Sequence, residues 1–300
     1  MIQSKNNIKT DSKGKELKEY NQLFNFIANE ADVHQYLTDC ISPHWHKELE
    51  IFILLEGHIT IGIEDQRYTL SSGEGCFINS NILHSFSCEN SKPCLFRSFI
   101  FDSNIVGGTP GSIFDISYVR PILKNAPAFY PFYKTTQDDS PFFSLFHQAF
   151  YACKKEYCGY ELDIRYALSK MLFLICRKFS AQKTSLHFSD TQEKRIKQML
   201  TWIDTHLREP ISVFDIAESA NICTRECQRI FKRYLHYSPM SYVKKKRILY
   251  AADQLSKTDL PITDIAMECG FASPSHFSKQ FHEIIGSTPR DYRNTVRTKE

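Results

Sequence analysis

The stretch from Pro261 to Arg293, PITDIAMECGFASPSHFSKQFHEIIGSTPRDYR, constrains this chain more than any other. Ile262, Ile265, Ala266 and Cys269 recur at i, i+3, i+4 and i+7, the buried face of a short helix. Gly270 ends that helix where a positive φ costs least, and Phe271 fills the corner. Ser273 or Ser275 can cap a second helix whose inner face carries Phe277, Phe281, Ile284 and Ile285, leaving Pro274, His276, Lys279, Gln280 and Glu283 outside. Two short helices about a tight glycine turn, the second polar on its outer face, form a helix-turn-helix of the kind that fits a DNA major groove.

The pattern occurs once more upstream. Asp215-Ile216-Ala217 lies 49 residues before Asp264-Ile265-Ala266, while Phe231, Pro239 and Tyr242 lie 50 before Phe281, Pro289 and Tyr292. Such a period indicates two copies of one unit, with the one-residue slip in the turn. The IA...CGF...FSKQF...GSTP...YR run and the Tyr242, Arg247, Ala251, Leu255 series resemble the paired helix-turn-helix domain of the AraC/XylS family of bacterial transcription regulators. The resemblance covers about the last hundred residues.

Within them, Ile196, Met199, Leu200, Ile203 and Leu207 predict a first supporting helix, capped by Asp190 or Thr191. Val213 to Ala220 opens the upstream unit, and Asn221 tolerates the left-handed turn that Gly270 takes downstream. Thr224 to Leu235 is the first recognition helix. Ser241 to Ser256 is a linking helix, roughly 24 Å long, which would hold two recognition helices on one side of a duplex. Arg225, Gln228, Arg229 and Lys232 on the first recognition helix, and Ser275, His276, Lys279 and Gln280 on the second, carry the side-chain chemistry for base edges or phosphates. Lys245, in the run Lys244 to Arg247, suits phosphate contact; the resemblance makes Arg247 structural. Two positions depart from the family pattern. Cys223 stands where a serine cap is usual, leaving Thr224 as the alternative cap, and His236 replaces a glycine and strains its turn.

Net charge supports this division without proving it. Of the chain's +3, residues from Asp190 onward hold +4, with 18 Lys and Arg against 14 Asp and Glu, and the rest holds −1. Ten cysteines without a CxxC pair argue for reduced, mostly buried thiols rather than disulfides or zinc. The polar N-terminus has no apolar segment of the secretory kind, and no 18-residue apolar run follows, so a cytoplasmic protein without membrane association is expected.

Residues 1–20 read as a loose leader; Leu23, Phe24 and Ile27 then offer a weak helical signal. From His44 onward short β-rich runs follow one another: through Leu55 to Gly57, then Ile59 to Ile63, Tyr68 to Leu70, Gly73 to Asn79, Ser85 to Cys88, and Phe96 to Phe101. Such spacing suggests a small barrel or jelly roll. The order His-x-His-x3-Glu-x6-Gly, then Gly73 and His84, is similar to the two motifs of the cupin superfamily, whose matching residues can hold a metal: here His44, His46, Glu50 and His84. In an extended strand His44, His46, Glu48 and Glu50 would share a face. The cupin proline before the second-motif histidine is absent. Three readings stay open: contacts to a bound effector, a divalent metal site, or structural histidines at a barrel mouth. Trp45 and Phe52 can stack on a sugar or simply fill the core.

Gly107 to Gly111 marks a loop, and residues 112–137 give no clear pattern. Helices are predicted over 140–156 and 160–180, the second apolar around much of its circumference. The pair either supplies a dimer interface or covers the open end of its own barrel. The expected chain is thus α+β: leader 1–20, cupin-like barrel or jelly roll 21–139, helix pair 140–180, polar connector 181–190, and an all-α double helix-turn-helix domain 191–300. The resemblance implies no catalysis and no obligatory cofactor. It implies a homodimeric, effector-controlled regulator that binds double-stranded DNA and activates through RNA polymerase, with a carbohydrate as the favoured effector class. A ligand-independent regulator and a metal-dependent cupin enzyme fused to a DNA domain are the alternatives.

Overall fold

The computed structural model describes residues 2–3, 24–88, 93–181 and 191–297. They divide at Asp190 into two compact units. The leader beyond Ile2–Gln3 and the connector after Ala181 lie outside the described residues.

The first unit is a sandwich of two sheets. Its strands are β1 (Ile2–Gln3), β2 (Phe26–Asp32), β3 (Cys40–His44), β4 (Leu49–Leu54), β5 (His58–Ile63), β6 (Gln66–Ser71), β7 (Glu74–Ile78), β8 (His84–Ser87), β9 (Leu95–Phe101) and, after two short helices, β10 (Phe129–Tyr133). One sheet runs β1-β2-β9-β4-β7-β10 and the other β3-β8-β5-β6. Residues 26–32 are therefore strand, not the helix their apolar spacing hinted at; Phe26 to Asp32 pair in register with Phe101 to Leu95. The leader, too, contributes a strand, since Ile2 and Gln3 pair parallel with Ala28 and Asn29.

Alternation along β4 explains its unbroken apolar run. Leu49, Ile51 and Ile53 face a helical layer, while Phe52 and Leu54 face the space between the sheets, so every residue of the strand is buried. The turn that follows needs Gly57: its φ is +92°, and a Cβ there would lie 2.4 Å from the Pro93 carbonyl oxygen.

Between β9 and β10 lie α1 (Asn104–Gly107), which ends at the first residue of the expected Gly107–Gly111 loop, and, in the stretch without a clear pattern, a π-helical turn (Asp115–Val119) and α2 (Arg120–Asn125). Two long helices follow β10, α3 (Ser140–Lys155) and α4 (Tyr160–Ala181). They do not close the barrel's open end. They cover the outer face of the six-stranded sheet, where Phe146 stacks on Phe99 at 4.2 Å and Phe142 on Phe132 at 3.7 Å between ring centroids. The apolar excess on α4 has two destinations. Ile164, Ala167, Leu168, Met171, Leu172 and Ile175 are buried, whereas Leu162, Tyr166 and Phe173, one stripe at helical spacing, stay exposed.

Cysteine usage also departs from the expectation. Cys88 and Cys94 form a disulfide, because β8 and β9 bring the two ends of one loop together. Among the other cysteines, Cys76, Cys153, Cys227 and Cys269 are buried. No helix among the described residues is long and apolar enough to cross a membrane.

The second unit is all helical: α5 (Thr191–His206), α6 (Val213–Ser219), α7 (Thr224–Leu235), α8 (Pro239–Lys257), α9 (Ile262–Glu268), α10 (Pro274–Ile285) and α11 (Pro289–Arg297). The sequence repeat is a repeat of contacts. Ile222 N–H donates to the Ala217 carbonyl at 3.1 Å, and Phe271 N–H to the Ala266 carbonyl at 3.1 Å. Phe231 meets Tyr242 edge-on at 5.9 Å, and Phe281 meets Tyr292 edge-on at 5.6 Å. The turn residues Asn221 and Gly270 both take positive φ, 52° and 76°.

The first copy carries both of its departures as local defects. Cys223 occupies the N-cap of α7 without a side-chain cap hydrogen bond, and Thr224, expected as the substitute, is the first helical residue instead. His236 adopts a left-handed φ of 59° where Gly286 serves the second copy. Replacing His236 with glycine removes that Cβ strain and is expected to stabilise the second unit by about 1 kcal/mol; an unchanged or lower urea midpoint would contradict this.

Candidate ligand-binding and nucleic-acid-binding sites

In the first unit, the segment from His44 to Glu50 is two strands and not one. β3 ends at His44, residues 45–48 bend, and β4 begins at Leu49 in the other sheet. The shared-face argument for a continuous strand therefore fails, yet the four singled-out residues still converge. His44 is in register with His84 on β8; the bend returns His46; Glu50 points inward from β4 opposite Ile78 and Ile100. All four are at most 3% exposed. Ring centroids lie 4.2 Å apart for His44 and His84, 5.1 Å for His46 and His84, and 5.9 Å for His44 and His46. Trp45 is half-buried and stays outside this ring cluster, and Phe52 is core, stacked between Phe86 and Phe96.

Backbone carbonyls orient every ring. Nδ1 of His44 lies 2.9 Å from Ser42 O, Nδ1 of His46 3.1 Å from Glu48 O, and Nδ1 of His84 2.8 Å from Ile82 O. A carbonyl only accepts, so each Nδ1 carries the hydrogen, and a neutral ring then presents a lone pair at Nε2. Those of His46 and His84 stand 3.4 and 3.3 Å from Glu50 Oε2. His84 Nε2 makes no hydrogen bond among the described residues.

A lone pair facing a carboxylate is repulsive. Something positive belongs between them, either a second ring proton or a cation. Burial, and then the neighbouring His84 and His46 rings, hold the His44 pKa well below the usual imidazole value, so a second proton on His44 is disfavoured. Burial pushes Glu50 upward, but its contacts with His46 and His84 outweigh this and keep the carboxyl well below its usual range, as they do only when a proton or other positive charge lies on the ring side that faces it. An ionised carboxylate beside imidazole nitrogens is a donor set for a divalent cation. One nitrogen from each histidine lies within 4.8 Å of the others. Two ligands on one tetrahedral ion at about 2.0–2.1 Å would be about 3.4 Å apart, which matches the Glu50 spacings. The two Glu50 contacts fit such an ion, and the three histidine nitrogens lie close enough to share it.

In the second unit, Arg225, Gln228, Arg229 and Lys232 lie exposed on α7, as do Ser275, His276 and Lys279 on α10. Gln280 does not. It is 8% exposed because, at the 50-residue offset, it occupies the inward position of Ile230. The outward position equivalent to Lys232 belongs to His282, which is exposed and which the sequence reading passed over; the repeat offset would have found it. Ser273 caps α10, accepting from His276 N–H. Arg229 is held by a neighbour: its Nε and Nη2 donate to Glu226 Oε2 and Oε1 at 2.8 and 2.7 Å.

The basic run on α8 is less a phosphate-binding strip than its composition suggests. Lys246 pairs with Asp204 at 2.8 Å, tying α8 to α5. Arg247 Nε donates to Leu207 O at 2.9 Å, Nη1 to Gly270 O at 2.9 Å, and Nη2 to Glu209 O at 2.5 Å, which joins the first copy's entrance to the second copy's turn. A Cβ on Gly270 would lie 2.7 Å from Arg247 Cζ, so that glycine serves the close approach as well as the turn. Lys245 is half-buried, with its ammonium 5.5 Å from the Tyr237 ring.

Comparison with known proteins agrees with both halves. Residues 26–165 match the AraC-like ligand binding domain, and residues 216–295 match a helix-turn-helix domain. YdeC of Bacillus subtilis, an HTH-type transcriptional regulator, is 26% identical over 292 residues, covering 96% of this chain and 98% of that protein. SoxS of Escherichia coli, a regulatory protein, is 34% identical over 106 residues, which are 35% of this chain and 99% of SoxS. The crystal structure of unsaturated fatty acid bound ToxT of Vibrio cholerae aligns with 92% of this chain and 97% of its own at 15% identity and a TM-score of 0.46. A barrel matching the ligand-binding model, two helix-turn-helix copies, and a match to nearly all of SoxS place the chain in the AraC family: it is a DNA-binding transcription regulator with a ligand-binding domain.

Proposed function

We propose that this regulator is an effector-controlled activator, acting as a homodimer, whose barrel captures its small molecule at His44, His46, Glu50 and His84 with a divalent cation held among them. The observation that carries the reading is the cluster itself: four buried polar side chains, with the Nε2 atoms of His46 and His84 beside the Glu50 carboxylate, where a positive charge is needed. When bound, the ion would supply a Lewis-acidic point for oxygen ligands. His44, His46 and His84 are pre-oriented for that role by their carbonyl partners, and Glu50 supplies the compensating charge. A carbohydrate, the class the family resemblance favours, offers hydroxyl oxygens of this kind. Turnover is no part of the reading, since YdeC, matched over nearly the whole chain, is named as a regulator.

The exposed Leu162, Tyr166 and Phe173 stripe on α4 supports pairing of two copies through the helix pair, because such a stripe on a helix otherwise faces water without benefit. Arg225, Gln228, Arg229, Lys232, Ser275, His276 and Lys279 present the polar chemistry that would meet DNA, Lys245 would contact phosphate, and RNA polymerase contact follows the family pattern. Ligand binding changes promoter occupancy only if the ligand binds one arrangement of the dimer more tightly than another.

A thermal-shift screen of the full chain against sugars and divalent metals, with and without chelator, tests the barrel reading. Stabilisation by zinc or another divalent ion, reversed by chelator, is expected, because only ligands of the native state raise the midpoint. A sugar that stabilises equally in chelator would remove the ion from the proposal. No response to any metal or sugar would sink the cluster as the effector site.

A further inference from the structure

Glu226 is a puzzle on a DNA-facing helix. It stands in the first turn of α7, whose exposed face carries Arg225, Gln228, Arg229 and Lys232. A carboxylate there opposes the phosphates that such a face must approach, so it weakens non-specific attraction. Helix-dipole attraction favours a first-turn carboxylate only modestly, and the ion pair of Glu226 adds little more. Its partner Arg229 is 58% exposed at the side chain, and exposed ion pairs one turn apart on a helix contribute little. The second copy does without the device, having His276 and Lys279 at the positions 50 residues on from Glu226 and Arg229.

The geometry of the pair suggests its use. Both carboxylate oxygens are engaged, Oε2 by Nε and Oε1 by Nη2, so one whole edge of the planar guanidinium is clamped. The clamp favours one orientation among the many that an exposed arginine samples, and therefore lowers the ordering cost of a later contact. A guanidinium clamped along its Nε–Nη2 edge is aimed end-on by its Nη1–Nη2 pair. That pair is a parallel fork which matches O6 and N7 of guanine in the major groove.

We propose that Glu226 is a positioning residue for sequence readout: it orients Arg229 toward a guanine and trades general DNA affinity for discrimination at that one base pair. The inference rests on the reading of α7 as a recognition helix. Glu226 touches no base in this scheme and acts only through Arg229.

The test uses the full-length protein and needs no known promoter. Binding sites are selected from a randomised duplex pool with the wild type. Affinities of wild type, Arg229→Ala, Glu226→Ala, Glu226→Gln and the double alanine variant are then measured on the selected site, its single-base variants and random duplex, over a range of salt. Arg229→Ala is expected to abolish preference at one guanine position. Glu226→Ala is expected to reduce discrimination at that same position about twofold, the share an exposed helical ion pair can contribute, while binding random duplex more tightly than wild type. Glu226→Gln, which keeps one acceptor oxygen, falls between, and the double variant discriminates no worse than Arg229→Ala. If Glu226→Ala keeps full discrimination at the Arg229-dependent position, or loses it equally at all positions, the positioning role is overturned. If Arg229→Ala changes no base preference, the recognition-helix reading of α7 has failed, and the proposal with it. Both side chains lie outside the core, so an unaltered thermal midpoint separates these outcomes from misfolding.

Discussion

Replacing Arg247 with alanine is expected to destabilise the second unit by about 3 kcal/mol and to weaken DNA binding more than any substitution on the recognition helices. The guanidinium gives hydrogen bonds to the carbonyls of Leu207, Glu209 and Gly270. Hydrogen bonds from a charged group contribute about 1.5–3 kcal/mol each when their loss leaves an acceptor stranded, and water reaching this half-buried site recovers part of that. The larger consequence is geometric. Leu207 and Glu209 lead into the first copy, and Gly270 is the turn of the second, so one side chain sets the spacing between the two helix-turn-helix copies. Arg247→Lys is expected to rescue little, because a single ammonium cannot serve three acceptors spread around a planar fork. Trp202, half-buried in the second unit and stacked on His206 at 4.3 Å, reports the transition by fluorescence in a Trp45→Phe background. A variant that unfolds at the wild-type urea concentration and binds DNA normally would show that helix packing alone holds the copies together.

Glu50→Gln is expected to abolish the response of the first unit to divalent metal while leaving effector-free DNA affinity unchanged. At a hundredfold excess over the dissociation constant, a native-state ligand stabilises by about 2.7 kcal/mol. The variant should lose nearly all of that gain, because glutamine keeps the shape of Glu50 but not the charge that the cluster directs between His46 and His84. Glutamine can also donate to an Nε2 lone pair, so the fold is expected to survive. If the variant retains the whole metal-dependent gain, Glu50 is not a ligand; if it fails to fold, the cluster is a structural element of the sandwich. His46→Ala with the same outcome as Glu50→Gln would assign the two residues to one site.

What was legible in the sequence was whatever depends on local spacing. The helix-turn-helix copies could be read directly, since each is a set of apolar positions at helical period about a turn residue, and the 49- and 50-residue offsets exposed their duplication. The left-handed turn at Asn221 and the strained His236 followed from residue type alone. The short strands of the sandwich were legible for the same reason, and so was the donor set of His44, His46, Glu50 and His84.

Other features depended on partners distant in the chain. Phe26–Asp32 became strand because Leu95–Phe101 offered it a complete antiparallel ladder, which outweighs a weak helical spacing. The bend at residues 45–48 sent β3 and β4 into different sheets, so the cluster assembles by cross-sheet convergence and not by a shared strand face. Gln280 read as outward because it is polar, yet the helix turned it inward to the place of Ile230. The Cys88–Cys94 disulfide followed from strand ends meeting, which no cysteine spacing announced. Sequence by itself determined the elements, the duplication and the identity of the chemically able side chains, since these are properties of neighbours along the chain. Only the tertiary structure decided which of those side chains face one another, because burial and pairing are settled by the partner surface each element finds.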